Sequence, residues 1–344
     1  MSSLLEQEIR SQPEVLAGLL EHESARVGRI VAALPEFQYA LIAARGTSDH
    51  AATFAKYAWA TAAGVPVALA APSLYTLYGA PPQMDGALVV GVSQSGQSPD
   101  IVSVLEEGRR QGRPTLAVTN DGASPLAAAA DHVIELHAGR EQSVAATKTY
   151  TSQLLVMALL AAHMSPRSGL LEEVQQIPAA VAATLAGSEH VREAAERYRY
   201  MEGCVVIGRG HNYATAFELA LKLKELTYVM AIAYSSADFR HGPIATIDDG
   251  DPVILVMPEG VTFDDMLDMA GVLRARGAEL LVVSDSKRAL SLAWTPMPTA
   301  GGLPEWLSPL TAIVPGQLLS LHLAVACGYD PDTPRGLSKV TQTY

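Results

Sequence analysis

The chain contains an internal repeat whose two copies lie 164 positions apart. The matching positions are Arg45-Gly46 with Arg209-Gly210, Ser93 with Met257, and Asp121 at the end of TLAVTND with Asp285 at the end of ELLVVSD. Because this offset holds at three places without a gap, it predicts two copies of one domain. The alternative is that two unrelated α/β domains share the spacing of their strands, but the matching Arg-Gly pair favours duplication.

In both copies, apolar runs bounded by Gly, Ser or Asn alternate with stretches of helical periodicity. The first copy has predicted strands at 39–44, 87–93, 115–120 and 132–136, and predicted helices at 49–63, 98–110 and 124–129. The second copy has predicted strands at 204–207, 253–256 and 280–284, and predicted helices at 213–228 and 263–276. A long helix at 144–163 and a helical connector at 169–195 are predicted between the copies. This alternation indicates an α/β fold in which each parallel sheet is covered by helices.

Composition excludes several classes of protein and of partner. Apolar residues make up 49% of the chain and charged residues 17%, which is incompatible with disorder, collagen or a coiled coil. The net charge of −12 argues against nucleic acid as a partner, since duplex binding needs Lys and Arg to neutralise phosphates. The two cysteines, Cys204 and Cys327, form neither a disulfide framework nor a CxxC motif.

The sequence also indicates where the protein acts. Its N-terminus is polar and acidic, unlike a secretory signal peptide. The longest uninterrupted apolar run, at 154–162, is far shorter than the ~20 residues that a membrane span needs. We therefore expect a soluble cytoplasmic protein that has no membrane partner.

Two turns in the first copy carry many hydroxyl groups. Gly46, Thr47 and Ser48 follow the strand predicted at 39–44, and Ser93, Gln94, Ser95, Gly96, Gln97 and Ser98 follow the strand predicted at 87–93. Ligands of open parallel sheets bind at the carboxyl ends of strands, where free amides at helix N-termini favour anions. The turns therefore predict a phosphate site. A plainer interpretation is that Ser98-Pro99 only caps a helix, a role that we expect in any case.

Motifs that are absent or incomplete exclude several classes of ligand. The segment GVSQSGQS, starting at Gly91, nearly matches the nucleotide-binding pattern GxxxxGK[ST], but Gln97 stands in place of the lysine. This substitution argues against an NTPase and leaves a phosphate monoester. Gly208-Arg209-Gly210 is only half of a dinucleotide fingerprint, and the nine histidines show no metal-ligand spacing. We expect no metal and no nicotinamide or flavin cofactor.

The helix predicted at 213–228 carries three charged residues within its apolar arc. At 100° per residue, Glu225, Glu218 and Lys222 fall at about −20°, 0° and +40°. The opposite face holds Thr227, Ala220 and Lys224 and is predicted to be small or solvated. Charged groups in apolar surroundings need partners, and their surroundings can shift their pKa values. A carboxylate that acts as a general base requires such a shifted pKa. The alternative is an ordinary surface pair between Glu218 and Lys222.

Two further candidates come from loops. His241 lies in SSADFRHGPIATID, a segment too rich in turn formers to predict a helix. A loop histidine is usually solvated and inactive, but a nearby acid–base cluster makes a catalytic role more plausible. Lys339 lies in the polar C-terminal segment DPDTPRGLSKVTQTY, which by itself predicts only a frayed tail.

Together these segments resemble the sugar isomerase (SIS) family, and specifically the isomerase half of glucosamine-6-phosphate synthase. The segments that carry the resemblance are GTS at 46–48, SQSGQS at 93–98, EQSVAATK at 141–148, ELALKLKE at 218–225, RHGP at 240–243 and PRGLSK at 334–339. The match covers nearly the whole chain. It implies two tandem SIS domains, each a flavodoxin-like parallel sheet flanked by helices.

The resemblance also implies roles for individual residues. The sugar phosphate is expected to bind Gly46, Thr47, Ser48, Ser93, Gln94, Ser95 and Ser98. Glu225 is implied to move a proton between C1 and C2, with Glu218 and Lys222 supporting it. His241, contributed by a partner subunit of a homodimer, is implied to open the sugar ring, and Lys339 gives the tail a functional role.

The implied organisation has five segments. They are an N-terminal helical segment at 1–38, a first SIS domain at 39–165, a helical connector at 166–195, a second SIS domain at 196–330, and a tail at 331–344 that closes the active site.

Two departures from the synthase change the expected activity. Ser2 follows Met1 where the glutaminase has its cysteine, and the first SIS motif begins at residue 46, so we do not expect glutamine-dependent synthesis. Arg45 replaces a cysteine of the synthase, and Ala146 replaces a serine that touches the sugar there. The form ARGTSDHAA is more similar to the stand-alone SIS-type glucosamine-6-phosphate deaminases. We therefore expect an amino-sugar-phosphate deaminase/isomerase.

Other functions remain open from the sequence. On the same scaffold these are another phosphosugar aldose–ketose isomerase, an ammonia-dependent glucosamine-6-phosphate synthase and a fructosamine-6-phosphate deglycase. A sugar-phosphate sensor without catalysis is a further alternative. However, the segment of roughly 38 residues before the first strand is acidic and too short for a helix-turn-helix domain.

Overall fold

The structure is a computed structural model that describes residues 2–339 of the chain. It divides into two compact units. The first unit holds residues 14–141, 148–175 and 338–339, and the second holds residues 2–13, 142–147 and 176–337. The domain boundaries expected from the sequence stay predictions, and residues 1 and 340–344 of the predicted terminal segments lie outside the described residues.

The first unit is built on a parallel five-stranded sheet of order β2-β1-β3-β4-β5. Its strands are β1 (Tyr39–Ala43), β2 (Val67–Leu69), β3 (Ala87–Ser93), β4 (Thr115–Thr119) and β5 (His132–Glu135). Every residue of the central strand β3 is buried, as expected for a strand whose two faces are both covered. Chain order reverses between the neighbours β1 and β3, and in such a sheet this is where ligands bind.

The second unit repeats this topology with the order β10-β9-β8-β6-β7, again all parallel. Its strands are β6 (Gly203–Gly208), β7 (Met230–Ser235), β8 (Pro252–Val256), β9 (Glu279–Ser284) and β10 (Thr295–Pro298). Strands β6 and β8 are the neighbours at its reversal point. The sequence prediction of an α/β fold with two parallel sheets flanked by helices is therefore confirmed.

The helices follow the same repeat. Through residue 175 they are α1 (Leu4–Arg10), α2 (Gln12–Ala33), α3 (Thr47–Ala63), α4 (Ser73–Thr76), α5 (Pro99–Arg110), α6 (Pro125–Ala128), α7 (Lys148–Met164) and α8 (Leu170–Val174). From residue 176 they are α9 (Ile177–Gly187), α10 (Val191–Arg197), α11 (Tyr213–Thr227), α12 (Ser236–Arg240), α13 (Phe263–Ala275), α14 (Lys287–Leu290) and α15 (Pro309–Ala326). Three short 3-10 helices cover Gly210–Asn212, Pro243–Thr246 and Glu305–Leu307.

The offset of 164 survives at the level of these elements. Helix α5 begins at Pro99 and α13 at Phe263, and α3 ends at Ala63 and α11 at Thr227, each pair being 164 positions apart. The long helices correspond as well, because α7 packs on α3 in the first unit and α15 packs on α11 in the second. The repeat of elements therefore includes the long helix of each unit, although α7 and α15 begin 161 and end 162 positions apart.

Several predicted elements differ from the structure. The helix predicted at 144–163 begins only at Lys148, because the preceding residues form an irregular segment. The connector predicted at 169–195 is helical as expected, and consists of the three short helices α8, α9 and α10. The edge strands β2, β7 and β10 were not predicted; β10 contains two prolines, which a sheet tolerates at its edge.

Helix α15 is long and apolar enough, by length and composition, to cross a membrane. However, 83% of that window is buried inside the structure. Its main neighbours within the second unit are α9, α10 and α11, with further contacts to α1 and β9. It therefore has the surroundings of a core helix, for which such a composition is ordinary.

Candidate functional site

The two hydroxyl-rich turns of the first unit follow β1 and β3, the neighbours at the reversal point of the sheet. Gly46 precedes α3 with φ of 52°, and Gly96 lies in the second turn with φ of 62°. A Cβ on Gly96 would lie 2.2 Å from Ser124 Oγ, so glycine is needed there for space as well as for conformation. The Gly96 N–H donates to Ser93 Oγ at 3.1 Å, which fixes the shape of the turn.

An ion pair joins the starts of the two helices that follow these turns. Arg45 Nε donates to Asp100 Oδ2 at 2.8 Å, and Asp100 is fully buried in the first turn of α5. Arg45 lies directly before the turn at Gly46. The ion pair therefore connects the first turn to the start of the helix that follows the second turn.

The hydroxyl groups of the turns differ in what they contact. Ser48 is buried and accepts a hydrogen bond from Gln153 Nε2 at 2.9 Å. Ser95 Oγ accepts weakly from the Gln97 N–H at 3.3 Å. Ser98 occupies the N-cap position of α5, but its side chain makes no capping hydrogen bond. The expectation that Ser98 caps the helix is therefore wrong for the hydroxyl, which is not engaged by the N–H groups of α5.

The N-termini of α3 and α5 both begin at these turns, and each brings free amides and the positive end of a helix dipole. Burial raises the pKa of Asp49, in the first turn of α3, above its ordinary value. Amides, hydroxyls and small residues at two neighbouring strand ends form a site suited to a phosphate group.

The three charges of α11 lie together. Lys222 Nζ is 2.5 Å from Glu225 Oε2 and 3.4 Å from Glu218 Oε1. The side chains of Lys222 and Glu218 are 0% exposed, whereas that of Glu225 is 23% exposed. The prediction that these charges lie in the buried face is confirmed, and a solvated surface pair is excluded. Glu225 is the member of the cluster that solvent or a ligand can reach.

The opposite face of α11 was predicted wrongly. Thr227 and Ala220 are buried, and of the three residues expected to be small or solvated only Lys224 is exposed. The cause is that α11 packs against β6 and β7 as well as against α15. A helix covered in this way is buried almost all round, so its charges need partners from the helix itself.

His241 is exposed, directly after α12. The expectation that this segment contains no helix is wrong, because Ser236–Arg240 forms a short α-helix. Ser235 caps it, with its side chain accepting from the Asp238 N–H. His241 itself lies in the loop as expected, between this helix and the 3-10 helix Pro243–Thr246.

The C-terminal segment is anchored to the end of α11. Tyr228 follows the helix in a left-handed conformation, and its hydroxyl accepts a hydrogen bond from the Arg335 N–H at 2.9 Å. The Arg335 guanidinium lies 3.9 Å from the centroid of the Tyr228 ring, and the Tyr329 ring packs edge-on against it. The described chain around Tyr329 and Arg335 is therefore packed against Tyr228, which lies three residues after Glu225.

Lys339 is paired within the first unit. Its Nζ lies 3.0 Å from Glu141 Oε2, and the same carboxylate accepts from the hydroxyl of Thr149 at 2.6 Å. Glu141 is buried. It belongs to the motif EQSVAATK, yet the sequence analysis did not select it as a site residue.

Glu8 is a second carboxylate that the sequence analysis missed. It is buried on α1 and accepts from the N–H of Gln142 at 2.5 Å and from the N–H and hydroxyl of Ser143. It thereby holds the irregular segment before α7. A helical-wheel argument could have found it, because Glu8 shares the buried face of α1 with Leu5 and Ile9.

The cysteines are not activated. Burial raises the pKa of the Cys204 thiol to about 12, and burial also raises the pKa of Cys327. Both are free thiols and stay protonated near neutral pH. Within residues 2–339, no three His, Cys, Asp or Glu side chains are grouped as metal ligands would be.

Similarity to known proteins identifies the family of this chain. The sequence model of the SIS domain matches residues 38–163 and 203–290, one stretch in each copy of the repeat. The chain belongs to the SIS family. In this SIS protein, one matched stretch contains the hydroxyl-rich turns and the other contains the α11 cluster and His241, whereas Lys339 lies outside both stretches.

Several relatives place this SIS protein within the family. Glutamine–fructose-6-phosphate aminotransferase (isomerizing) from Pyrococcus horikoshii is 35% identical over 341 residues, covering 96% of this chain and 56% of the relative. The C-terminal domain of glucosamine-fructose-6-phosphate aminotransferase from Francisella tularensis superimposes with a TM-score of 0.87 at 28% identity, covering 97% of this chain and 99% of that one. The chain thus spans somewhat more than half the length of the curated relative.

A third relative shares the fold. Glucosamine-6-phosphate deaminase from Thermotoga maritima has a TM-score of 0.83, covering 99% of this chain and 100% of that one, at 21% sequence identity. At this identity the likeness establishes the architecture alone.

Proposed function

We propose that this SIS protein is an amino-sugar-phosphate deaminase/isomerase that converts glucosamine 6-phosphate to fructose 6-phosphate and ammonia. We place it in the cytoplasm as a homodimer, as the family resemblance implies. The proposal requires no metal or organic cofactor, since the reaction consists of proton transfers and the addition of water.

The phosphate is assigned to the two hydroxyl-rich turns of the first unit. Support comes from the positive-φ glycines Gly46 and Gly96, and from the two helix N-termini that begin there. The arrangement lacks the lysine of an NTPase loop, because Gln97 occupies that position. A monophosphate carries less charge than a triphosphate and is suited to amides and hydroxyls alone.

The observation that carries the proposal is the cluster on α11. A proton shuttle needs a carboxylate that can reach substrate and is held in place by a charged partner. The partial exposure of Glu225 and its pairing with Lys222 support this role. Its Oε2 is held 2.5 Å from the buried ammonium of Lys222, which Glu218 also contacts. In this assignment Lys222 and Glu218 position the carboxylate, and Glu225 is the catalytic residue.

The steps follow from this assignment. His241 assists opening of the sugar ring, which gives an aldehyde at C1 beside the amine at C2. Glu225 removes the C2 proton to give an enolamine and returns a proton at C1, which gives a ketimine at C2. Water adds to the ketimine carbon, the C–N bond breaks, and ammonia leaves fructose 6-phosphate behind. Lys339 is assigned to stabilising the oxygen charge or holding the open chain.

A substrate panel with the purified protein tests the proposal. The substrates are glucosamine 6-phosphate, glucosamine without phosphate, a non-amino hexose 6-phosphate, a fructosamine 6-phosphate, and fructose 6-phosphate with ammonium. We expect equimolar fructose 6-phosphate and ammonia from glucosamine 6-phosphate, and no measurable turnover of unphosphorylated glucosamine.

The other outcomes identify the competing functions. Interconversion of the non-amino hexose phosphate without ammonia release would indicate a simple aldose–ketose isomerase. Release of the amine only from the fructosamine 6-phosphate would indicate a deglycase, and net aminosugar formation from ammonium a synthase. Binding without chemical change of any substrate would indicate a sensor and overturn the proposal.

A further inference from the structure

The second copy of the repeat has its own turn at the position of the phosphate turn. Residues 257–262 follow β8 and lead into α13, just as residues 93–98 follow β3 and lead into α5. Gly260 stands 164 positions after Gly96, and both have positive φ, at 154° and 62°. The turn thus keeps a glycine and a following helix N-terminus, although its φ differs from that of Gly96 and only Thr262 retains a hydroxyl.

A carboxylate from the same unit occupies this turn. Glu305 Oε2 accepts from the Val261 N–H at 2.5 Å, and Glu305 Oε1 accepts from the Thr262 N–H at 3.3 Å and from its hydroxyl at 2.7 Å. A Cβ on Gly260 would lie 2.3 Å from Glu305 Oε2. The glycine therefore gives the carboxylate the close backbone approach that anion loops give to phosphate.

Within the repeat, Glu305 corresponds in position to Glu141 of the first copy. It lies 164 positions after Glu141, and both residues precede the long helix of their unit, α15 and α7. Glu141 contacts Thr149 and Lys339, whereas Glu305 contacts the turn. Equivalent carboxylates therefore have different partners in the two copies.

We propose that Glu305 is an internal anion that fills the second copy's phosphate-type turn and closes it to phosphate ligands. It is a specificity-determining residue, because it restricts phosphate binding by the repeat to the first copy. The ligand class of the closed site is a phosphate or sulfate oxyanion. This inference does not depend on the reaction proposed above.

Other charged groups near the turn affect how well it would hold a free anion. The Glu259 N–H donates to Asp285 Oδ1 at 2.8 Å, and burial raises the pKa of Asp285. Asp285 has a counterpart in the first copy, Asp121, but Glu259 stands where the first copy has Ser95. Glu259 is thus a second negative charge that disfavours phosphate in this copy only. His211 is uncharged at neutral pH, because burial lowers its pKa to about 4.

The test is phosphate binding to the full chain, measured by equilibrium dialysis with labelled inorganic phosphate. We compare the wild type with Glu305→Ala and with Glu259→Ser/Glu305→Ala. The inference predicts one additional phosphate per chain in Glu305→Ala, and tighter binding of that phosphate in the double variant. Gly260→Ala added to Glu305→Ala should abolish the additional site, because its Cβ would fill the position of the anion.

The baseline separates this inference from the proposed function. If the wild type binds one phosphate per chain and Glu305→Ala binds two, both proposals are supported. If the wild type binds no phosphate and Glu305→Ala binds one, the inference is supported but the phosphate assignment of the first copy is contradicted. An unchanged stoichiometry in Glu305→Ala and in the double variant would overturn the inference.

A second measurement covers variants that fold poorly. Glu305→Gln keeps the size of the side chain and removes the charge, and phosphate should raise its unfolding temperature by more than that of the wild type. In the wild type, the Val261 amide should be protected from hydrogen exchange although the residue is 97% exposed. A Val261 amide that exchanges as fast in the wild type as in Glu305→Gln would contradict the carboxylate contact itself.

Discussion

Replacing Lys222 by methionine tests whether the buried ammonium holds the α11 cluster together. Methionine keeps an unbranched stem of similar length but removes the charge that faces Glu218 at 3.4 Å and Glu225 at 2.5 Å. Because Glu218 is fully buried, its carboxylate would lose this cation without gaining water. We expect Lys222→Met to lower the free energy of unfolding by about 3–5 kcal/mol, as is usual when one partner of a buried pair is removed.

The structure gives a similar magnitude independently. At an effective dielectric constant of about 20, two unit charges separated by the 3.4 Å between Lys222 Nζ and Glu218 Oε1 attract each other by about 5 kcal/mol. Removing the lysine also removes the cost of burying its own charge, which offsets part of this loss. The net effect should therefore fall at or below the Coulomb figure.

The assay is chemical unfolding of the two single variants, Lys222→Met and Glu218→Gln, and of the double variant. The double variant should be less destabilised than the sum of the single variants, with a coupling of about 1–3 kcal/mol. The matched control is Lys224→Met on the same helix, which is exposed and should change stability by about 0.5 kcal/mol or less. Additive single variants, or equal effects at positions 222 and 224, would refute the reasoning.

Three smaller predictions follow from single residues. Gly96→Ala should weaken phosphate binding at least tenfold by calorimetry, whereas Gly112→Ala, also at positive φ but with open space around the new Cβ, should leave it unchanged; equal effects would contradict the role of the turn. The pKa of His211 is about 4 in the fold, below its unfolded value near 6.5, so the unfolded state binds more protons between these values. Relative to His211→Asn, the wild type should therefore lose about 3 kcal/mol of stability between pH 6.5 and pH 4 in urea titrations, and parallel pH profiles would contradict this. Arg335→Met removes the cation over the Tyr228 ring and should cost about 0.5–1 kcal/mol of stability, while Tyr228→Phe should retain that contact and lose only the hydroxyl hydrogen bond; equal stability of wild type and Arg335→Met would argue against the packed tail.

The repeat made most of the fold predictable. Apolar runs such as 87–93 and 280–284 correspond to the buried interior strands β3 and β9, because a strand covered on both faces must be apolar throughout. The edge strands were harder to predict, since β2 has three residues and β7 alternates exposed and buried positions directly after α11. Strand β10 has four residues of which two are proline, a residue that argues against a strand in sequence reasoning.

The site was predictable where it depends on one element. The wheel placed Glu218, Lys222 and Glu225 on one arc of α11 because helical periodicity fixes which side chains are neighbours. The contacts of Glu8 with Ser143 and of Glu305 with Thr262 join residues far apart in the chain. No local sequence pattern predicts contacts between residues that are so far apart in the chain.

The repeat contained one further signal that the sequence analysis did not use. Extending the offset of 164 beyond Asp285 pairs Glu141 with Glu305. This pairing would have marked both carboxylates as equivalent positions. Only the structure shows that their partners differ, because those partners depend on the path of each irregular segment before α7 and α15.

The central claim is that the Glu225 carboxylate removes the C2 proton of the amino sugar. Glucosamine 6-phosphate labelled with deuterium at C2 tests this most directly, because loss of the label from C2 reports cleavage of that bond whether the deuteron goes to solvent or to C1. Mass spectrometry would compare the wild type with Glu225→Gln and with Glu196→Gln, an exposed glutamate on α10 that serves as the control. The account predicts that Glu225→Gln slows label loss by roughly 10²–10⁴-fold while the control matches the wild type. Label loss at the wild-type rate in Glu225→Gln would contradict it.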